Sequence, residues 1–301
     1  MKFVVCMDIG GTSLKTGIVG ESGALAPGSL HAETLDSRGS AQSILSAFAD
    51  ALRSSLAFAS TENVPVAGIG IAICGPFDCE KGISLIRGVG KYEALYGVDV
   101  KSALRSMTGL ADDLPLFFDI DSWCFARGEV WYGAGAGFER VIVLTLGSGL
   151  GSAFSIHRRI VAEGPGVPWL GWIAGQRYRD GILNDYICRD AMCRRYTQLS
   201  GLSADVAEIA RAARGGDEPA RQVFEETGSA LGFFLREHNV RDFGAECLIF
   251  GGRISLSFDL FAPSLQNALG RLPCLRATLE AADIECSALK GAARYVFEHL
   301  S

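Results

Sequence analysis

The sequence of 301 residues has no long apolar run and no excess of positive charge. No window approaches the roughly 18 apolar residues that a membrane-spanning helix needs. Lysine and arginine number 28 against 34 acidic residues, and the resulting net charge of −6 argues against a nucleic-acid partner, which normally requires a basic face. The first residues also lack the ~7–15-residue apolar region of a secretory signal. We therefore expect a cytoplasmic protein that binds neither membrane nor nucleic acid.

Histidine is scarce, and the nine cysteines follow no framework. The four histidines are isolated, which favours structural or surface positions for each. An odd number of cysteines scattered through apolar stretches indicates reduced, buried thiols rather than disulfides. Cys188 and Cys193 are the only pair close together on an apparent helix, and with no histidine nearby they make no convincing zinc site.

The opening of the chain carries the first chemical signal. Residues 3–19 form an apolar run that ends in Asp8, turns on Gly10 and Gly11, and resumes with strand-forming residues. This pattern predicts a β-hairpin, because Walker and dinucleotide motifs need a glycine loop that leads into a helix. A carboxylate at a strand end beside open backbone N–H groups suits phosphate and magnesium, with Asp8 on the magnesium side. Taken alone, the stretch fits an ordinary Gly-Gly hairpin equally well.

The same plan recurs later in the chain. Residues 141–154 repeat the order of strand, polar residue, glycine turn and strand, as in a duplicated fold whose halves bind one nucleotide. A third glycine turn lies within residues 248–255. A chain of this length is expected to form two lobes.

Between these turns, the hydrophobic spacing predicts a helix over residues 41–58 and a strand over residues 66–73. A short strand over residues 116–120 delivers Asp121, and a helix follows over residues 123–131. Ligands of open α/β sheets bind at the carboxyl ends of strands. We therefore expect the Asp121 carboxylate to point toward a ligand rather than into the core.

Five motifs, in this order, resemble the ROK family of bacterial sugar kinases and sugar-responsive repressors, members of the actin-like ATPase superfamily. They are Asp8–Thr12, Gly68–Ala72, Asp119–Ser122, Thr145–Gly151 and Gly251–Ser255. The resemblance covers nearly the whole chain. It implies an α/β, two-lobed actin-like ATPase (ribonuclease-H-like) fold with an interlobe cleft, and often a homodimer. We place the N-terminal lobe at residues 1–120, with a C-terminal helix at 288–301 packing back on it, and the C-terminal lobe at residues 121–287.

The resemblance implies phosphorylation of a sugar or sugar-derivative hydroxyl by ATP and Mg²⁺. Asp121 would be the general base, and Asp8 would face magnesium, directly or through water. Lys15 either neutralises phosphate charge or is a solvated hairpin lysine. The remaining residues expected to contact the nucleotide are Gly10, Gly11, Thr12, Thr145, Gly147, Ser148, Gly149, Gly251, Gly252 and Ser255.

The chain departs from the family pattern on the sugar side. Ile120 replaces the usual Asn before the base, and Trp169 and Trp172 stand where Glu and His normally grip sugar hydroxyls. Indole faces stack well on sugar rings, so both tryptophans are candidates for sugar binding, with core or dimer-interface packing as the alternative. The cysteine-rich zinc signature is absent, and we predict no structural zinc. The other sugar-side candidates are Gly75, Asp78 and Asp185.

Two functional alternatives stay open. The lost sugar-binding residues are also compatible with a non-catalytic sugar- or nucleotide-binding ROK protein, a sensor or pseudokinase. A protein that used polyphosphate as the phosphoryl donor would favour a basic groove, and the negative net charge of this chain argues against that donor. Glu129, which matches an acidic residue usual in the family, is either a helix-capping or surface charge or part of the site.

Overall fold

The protein divides into two compact units in the computed structural model, which describes residues 2–300. The first unit comprises the chain up to Tyr132 together with the residues from Glu285 onward, and the second comprises Gly133–Ile284. The structure thus draws the first boundary after the helix that carries Asp121, whereas the sequence placed it before that helix.

The first unit contains seven strands and four helices. In chain order they are β1 (Phe3–Ile9), β2 (Ser13–Gly20), β3 (His31–Thr34), α1 (Ala41–Thr61), β4 (Val66–Ile73), β5 (Phe77–Asp78), β6 (Ile83–Ser84), α2 (Val100–Thr108), β7 (Leu116–Ile120), α3 (Asp121–Tyr132) and, at the end of the chain, α10 (Ser287–His299). The predicted hairpin, the helix after residue 40 and the strands at 66–73 and 116–120 are confirmed.

The main sheet of this unit has the order β3-β2-β1-β4-β7. β1 pairs antiparallel with β2 and parallel with β4, and β4 pairs parallel with β7. β1, β4 and β7 therefore end at one edge, where Ile9, Ile73 and Ile120 lie in register. α1 begins at Ser40, whose side chain accepts a hydrogen bond from the Ser43 N–H.

α3 and α10 approach each other closely because glycines line their contact. A Cβ on Gly291 would lie 1.7 Å from the Cys124 carbonyl oxygen, and one on Gly128 would lie 2.0 Å from that of Ser287. Neither separation is possible for real atoms, so only glycine permits this contact. The last helix is thereby fixed to the helix that begins at Asp121.

The second unit contains seven strands and six helices. They are β8 (Arg140–Leu146), β9 (Leu150–Ile156), β10 (Arg159–Val161), β11 (Arg177–Tyr178), β12 (Gly181–Ile182), α4 (Asn184–Ile187), α5 (Arg189–Ser200), α6 (Val206–Arg214), α7 (Glu218–Leu235), α8 (Arg241–Phe243), β13 (Cys247–Gly251), α9 (Phe258–Leu269) and β14 (Ala277–Glu280). The second unit also has 3₁₀ turns at Trp169–Gly171 and Arg253–Ser257 and a π-helical turn at Arg236–Val240. The first unit has a 3₁₀ turn at Glu93–Leu95. The apparent helix that carries Cys188 and Cys193 begins only at Arg189, because Cys188 is extended and separates α4 from α5.

The sheet of the second unit has the order β10-β9-β8-β13-β14. Its pairings match those of the first unit: an antiparallel hairpin, β8 with β9, followed by parallel strands on the other side of β8. The duplication inferred from the glycine turns is therefore present in the backbone topology. Among residues 2–300, no helix is both long and apolar enough to cross a membrane.

Candidate active site

Asp8 lies at the carboxyl end of β1, half-buried among charged groups of the first unit. Burial raises the pKa of Asp8 to about 6; the charge of Lys15 opposes that rise, those of Asp121 and Glu285 add to it, and that of Lys91 opposes it. The ionised Asp8 carboxylate is therefore only partly compensated by the protein. Such a group gains from a cation.

The turn after Asp8 is held by its carbonyl groups. The Gly11 carbonyl accepts from the Ser37 hydroxyl at 2.6 Å, and the Thr12 carbonyl accepts from the Leu35 N–H at 3.0 Å. The phenolic hydroxyl of Tyr92, a buried residue, donates to the Gly10 carbonyl. Two separate segments thus fix the turn and draw its carbonyls into the protein, which suits a turn that presents N–H groups to a ligand.

Asp121 is the first residue of α3, directly after β7, and is half-buried as expected. Its carboxylate accepts a hydrogen bond of 2.7 Å from the Ser122 N–H. This hydrogen bond fixes the carboxylate at the N-terminus of α3, where it could accept a proton from a bound hydroxyl. Asp8 and Asp121 lie at the ends of the two strands that flank β4.

Two neighbouring carboxylates have structural partners. Asp119 is buried and receives a hydrogen bond of 2.6 Å from the Arg127 guanidinium, which also lies 3.7 Å from Glu298. Glu129 is fully buried and accepts from the Ser287 hydroxyl at 2.6 Å. The interpretation of Glu129 as a surface charge is therefore wrong, since it lies inside the α3–α10 contact.

Lys15 is paired with Asp8 across the β1–β2 hairpin, but its ammonium is bound elsewhere. It lies 2.8 Å from the Glu285 carboxylate and donates to the Glu285 carbonyl at 3.1 Å. The solvated interpretation does not describe this side chain, which is only 20% exposed. Its ion pair fixes the start of the last helical segment beside the hairpin.

The sugar-side candidates of the first unit fall into two groups. Gly75 and Ile120 meet at the edge of the sheet, where a Cβ on Gly75 would lie 3.3 Å from the Ile120 Cδ1. Asp78, by contrast, accepts from the Lys81 N–H at 3.0 Å and so caps its own turn. Ile120 makes this part of the edge apolar where an amide was expected.

The corresponding turn of the second unit follows β8. Thr145 is half-buried on the strand, Ser148 is exposed, and Gly147 has open space where a Cβ would stand. The turn is braced by Asn184, whose side-chain oxygen accepts from the Leu150 N–H at 2.9 Å. The Gly149 Cα faces the same amide oxygen, since a Cβ there would lie 3.4 Å from it.

The third glycine turn ends β13. Gly252 has φ 81° and approaches β8 so closely that a Cβ would lie 2.4 Å from the Leu146 carbonyl oxygen. The Ser255 hydroxyl donates to the Gly252 carbonyl at 2.7 Å and is fully buried. Gly251 pairs with Thr145 in the parallel ladder. Ser255 therefore shapes the turn, and the two glycines form the part of it nearest β8.

Trp169 begins the 3₁₀ turn at Trp169–Gly171 and Trp172 directly follows it; the two residues are 74% and 52% exposed. The alternative interpretation, that these two side chains pack in the core of the chain, is therefore wrong. The Trp172 ring lies over Gly175, where a Cβ would be 2.5 Å from the ring. Asp185 accepts from the Ile182 N–H at 3.1 Å and caps that turn.

Sequence reasoning missed the residues that hold the glycine turns from a distance: Ser37, Tyr92 and Asn184. It also missed Lys91, whose charge acts on Asp8. Tyr92 and Lys91 belong to the glycine-bearing stretch 80–98, which contains none of the five recognised motifs. No local pattern marks them, because their contacts are made across the fold.

The ROK family profile matches residues 4–290. The chain belongs to the ROK family. The glucokinase of Thermotoga maritima is 25% identical over 324 residues, covering 99% of this chain and 98% of that protein. A beta-glucoside kinase of Listeria innocua is 26% identical over 204 residues, covering 66% of this chain and 64% of that protein.

Among solved structures, a ROK family glucokinase from Streptomyces griseus in complex with glucose and AMPPNP superposes with a TM-score of 0.78. Its sequence is 24% identical, and the match covers 97% of this chain and 98% of that one. The predicted two-lobed actin-like α/β fold is confirmed by this likeness and by the matching topology of the two sheets.

Within residues 2–300, no three His, Cys, Asp or Glu side chains are grouped so as to hold a metal ion. Magnesium in phosphoryl-transfer sites needs no such group, because one or two carboxylates and the phosphates hold it, with water completing the shell. The half-buried, under-compensated Asp8 beside a glycine turn fits that use.

Proposed function

We propose that this ROK protein is a carbohydrate kinase that transfers the γ-phosphoryl group of ATP to a hydroxyl of a sugar or sugar derivative. The observation that carries the proposal is the placement of two carboxylates at one edge of the sheet. Asp8 lies at the end of β1 and Asp121 follows the end of β7, on either side of β4 and beside the fixed Gly10 turn. Phosphoryl transfer needs a magnesium carboxylate, phosphate-binding N–H groups and a group to receive the hydroxyl proton. Asp8, the Gly10–Thr12 turn and Asp121 supply these in order.

In the proposed reaction, Asp121 orients the acceptor hydroxyl and takes its proton as the oxygen–phosphorus bond forms. The bond between the γ-phosphorus and the oxygen bridging it to ADP breaks in the same step. Asp8 would hold Mg²⁺, which would neutralise negative charge on the phosphates. Within the second unit, the glycine turns after β8 and β13 are the candidates for nucleotide contacts.

The acceptor is proposed to differ from glucose in how it is held. Ile120 offers no hydrogen bond where an amide is usual, and a sugar hydroxyl buried without a partner costs about 1–3 kcal/mol. The exposed faces of Trp169 and Trp172 are suited to stacking on the apolar face of a sugar ring. A homodimer and a cytoplasmic location remain predictions from the sequence.

The test is ADP release from Mg-ATP across a panel of hexoses, amino sugars and N-acetyl sugars. The native protein is compared with Asp121→Asn and with Asp112→Asn, which changes an exposed carboxylate in the turn before β7. Sugar-dependent turnover that is lost in Asp121→Asn and kept in Asp112→Asn supports the kinase. No turnover with any sugar, together with measurable ATP or sugar binding, would favour the non-catalytic sensor.

A further inference from the structure

The segment before Tyr92 is a rigid loop that presents Lys91. The Glu93 carboxylate accepts hydrogen bonds from three successive N–H groups, of Gly88 at 2.9 Å, Val89 at 2.7 Å and Gly90 at 2.9 Å. Gly88 and Gly90 have φ values of 74° and 76°, a region that glycine adopts without strain. One side chain therefore ties the loop into a single conformation.

Tyr92 fixes the position of the neighbouring lysine. Its N–H donates to the Ser37 carbonyl at 2.7 Å, and its hydroxyl donates to the Gly10 carbonyl. Ser37 itself donates to the Gly11 carbonyl at 2.6 Å. Lys91 is thus held next to the turn proposed to bind phosphate, by the same hydrogen bonds that hold that turn.

The Lys91 ammonium lies near the carboxyl end of β4, the strand between β1 and β7. Its charge acts on the Cys74 thiol, and Cys74 directly follows β4. Asp8 lies on β1 and Asp121 directly follows β7, the strands on either side of β4, and the ends of all three strands are in register. The cation therefore lies between the proposed magnesium carboxylate and the proposed base.

Lys15 does not provide an equivalent charge. Its ammonium is engaged by both the carboxylate and the carbonyl of Glu285. Lys91, by contrast, has the Cys74 thiol as a neighbour, and burial raises the pKa of that thiol to about 11. A neutral partner leaves the ammonium charge available to a ligand.

We propose that Lys91 is a catalytic residue whose ammonium contacts the phosphoryl group during its transfer. This inference rests on the proposed kinase function. The group moves between the nucleotide, on the Asp8 side, and the hydroxyl, on the Asp121 side, so it passes the end of β4. Lys91 keeps its protons throughout; the hydroxyl proton goes to Asp121, and the electron pair of the broken oxygen–phosphorus bond stays on ADP. A fixed cation at this place offsets the charge on the three phosphoryl oxygens.

The test compares binding of Mg-ADP alone with binding of Mg-ADP plus aluminium fluoride, which mimics the transferring phosphoryl group. Calorimetry is run on the native protein, Lys91→Met, Lys91→Arg and the control Lys101→Met, in which a lysine bound to the Glu80 carbonyl loses its charge. We expect Lys91→Met to change the affinity for Mg-ADP alone by less than about threefold. The factor by which aluminium fluoride increases Mg-ADP affinity should be at least about tenfold smaller in Lys91→Met than in the native protein. Lys91→Arg should retain part of the gain, and Lys101→Met all of it.

Turnover of the preferred sugar from the panel adds a second readout. Lys91→Met should lower kcat about 100-fold with little change in the acceptor KM. A full aluminium fluoride gain in Lys91→Met, or a raised acceptor KM with unchanged kcat, would overturn the inference and leave the kinase proposal standing. A native protein that binds Mg-ADP but shows no gain from aluminium fluoride would overturn both.

Discussion

The hydroxyl of Tyr92 donates a hydrogen bond to the carbonyl of Gly10, joining two segments that are 82 residues apart in the sequence. Tyr92 is completely buried, so water does not replace the bond if the hydroxyl is removed. The contact makes the shape of the glycine turn depend on a distant loop.

Tyr92→Phe should therefore loosen the Gly10 turn while keeping the ring packed. We expect a loss of about 1 kcal/mol in the free energy of unfolding and a rise of about five- to tenfold in the KM for ATP. Steady-state kinetics and denaturant unfolding measure the two effects. Tyr96→Phe, at a ring that is 53% exposed, is the matched control and should leave both unchanged. An unaltered KM for ATP in Tyr92→Phe would show that the hydrogen bond from Tyr92 is not needed for the Gly10 turn to bind ATP.

Asp8→Asn should stabilise the metal-free protein while abolishing turnover. The folded-state pKa of Asp8 is raised from 3.8 to about 6, so its contribution to stability is fully present below pH 3.8 and is lost as the pH rises through 6. Above pH 7 the ionised carboxylate costs about 3 kcal/mol, which asparagine removes. The advantage of the variant should shrink as the pH falls from 7 toward 4.

Thermal unfolding in EDTA at several pH values checks this prediction, with Asp112→Asn as the exposed control. Magnesium and nucleotide should stabilise the native protein and not Asp8→Asn. A variant that is less stable than the native protein at pH 7 would show that the ionised carboxylate is well compensated within the fold.

Trp169→Ala and Trp172→Ala separate sugar stacking from packing between two copies of the chain. Because both rings are largely exposed in the single chain, each substitution should change the unfolding free energy by less than about 0.5 kcal/mol. If the rings stack on sugar, the KM for the preferred sugar should rise about tenfold and the sugar-dependent tryptophan fluorescence should fall. Unchanged sugar affinity with a shift from dimer to monomer in light scattering would assign the rings to an interface.

Gly291→Ala should disrupt the contact between α3 and α10. The added methyl group would have to occupy the position of the Cys124 carbonyl, so the helices must separate, at a cost of about 3 kcal/mol. Gly137→Ala, at a surface glycine with nothing near its missing Cβ, should stay within about 0.5 kcal/mol of the native protein. Denaturant unfolding of both variants makes the comparison, and an equally stable Gly291→Ala would show that the helices can shift apart freely.

The sequence was most informative where structure is local. An apolar run and a two-glycine turn define the β1–β2 hairpin, which places Asp8, and the short strand β7 places Asp121. The duplication was visible because both halves use the same hairpin. These features depend on neighbours within a few residues.

The parts that escaped prediction depend on distant contacts. Tyr92 reaches Gly10, Lys15 reaches Glu285 and Ser287 reaches Glu129, over separations that no periodicity records. Burial of Glu129 follows from the small residues of α10, which allow close approach only once both helices are placed. The exposure of Trp169 and Trp172 likewise depends on how the surrounding loop folds.

The most direct measurement is transfer of ³²P from [γ-³²P]ATP to sugar, with products separated by chromatography, for the native protein, Asp121→Asn and Asp112→Asn. We expect a labelled sugar phosphate from the native protein and Asp112→Asn, and none from Asp121→Asn although it still binds ATP. Label that appears only as free phosphate, or equal transfer by Asp121→Asn, would contradict a kinase that uses Asp121 as its base.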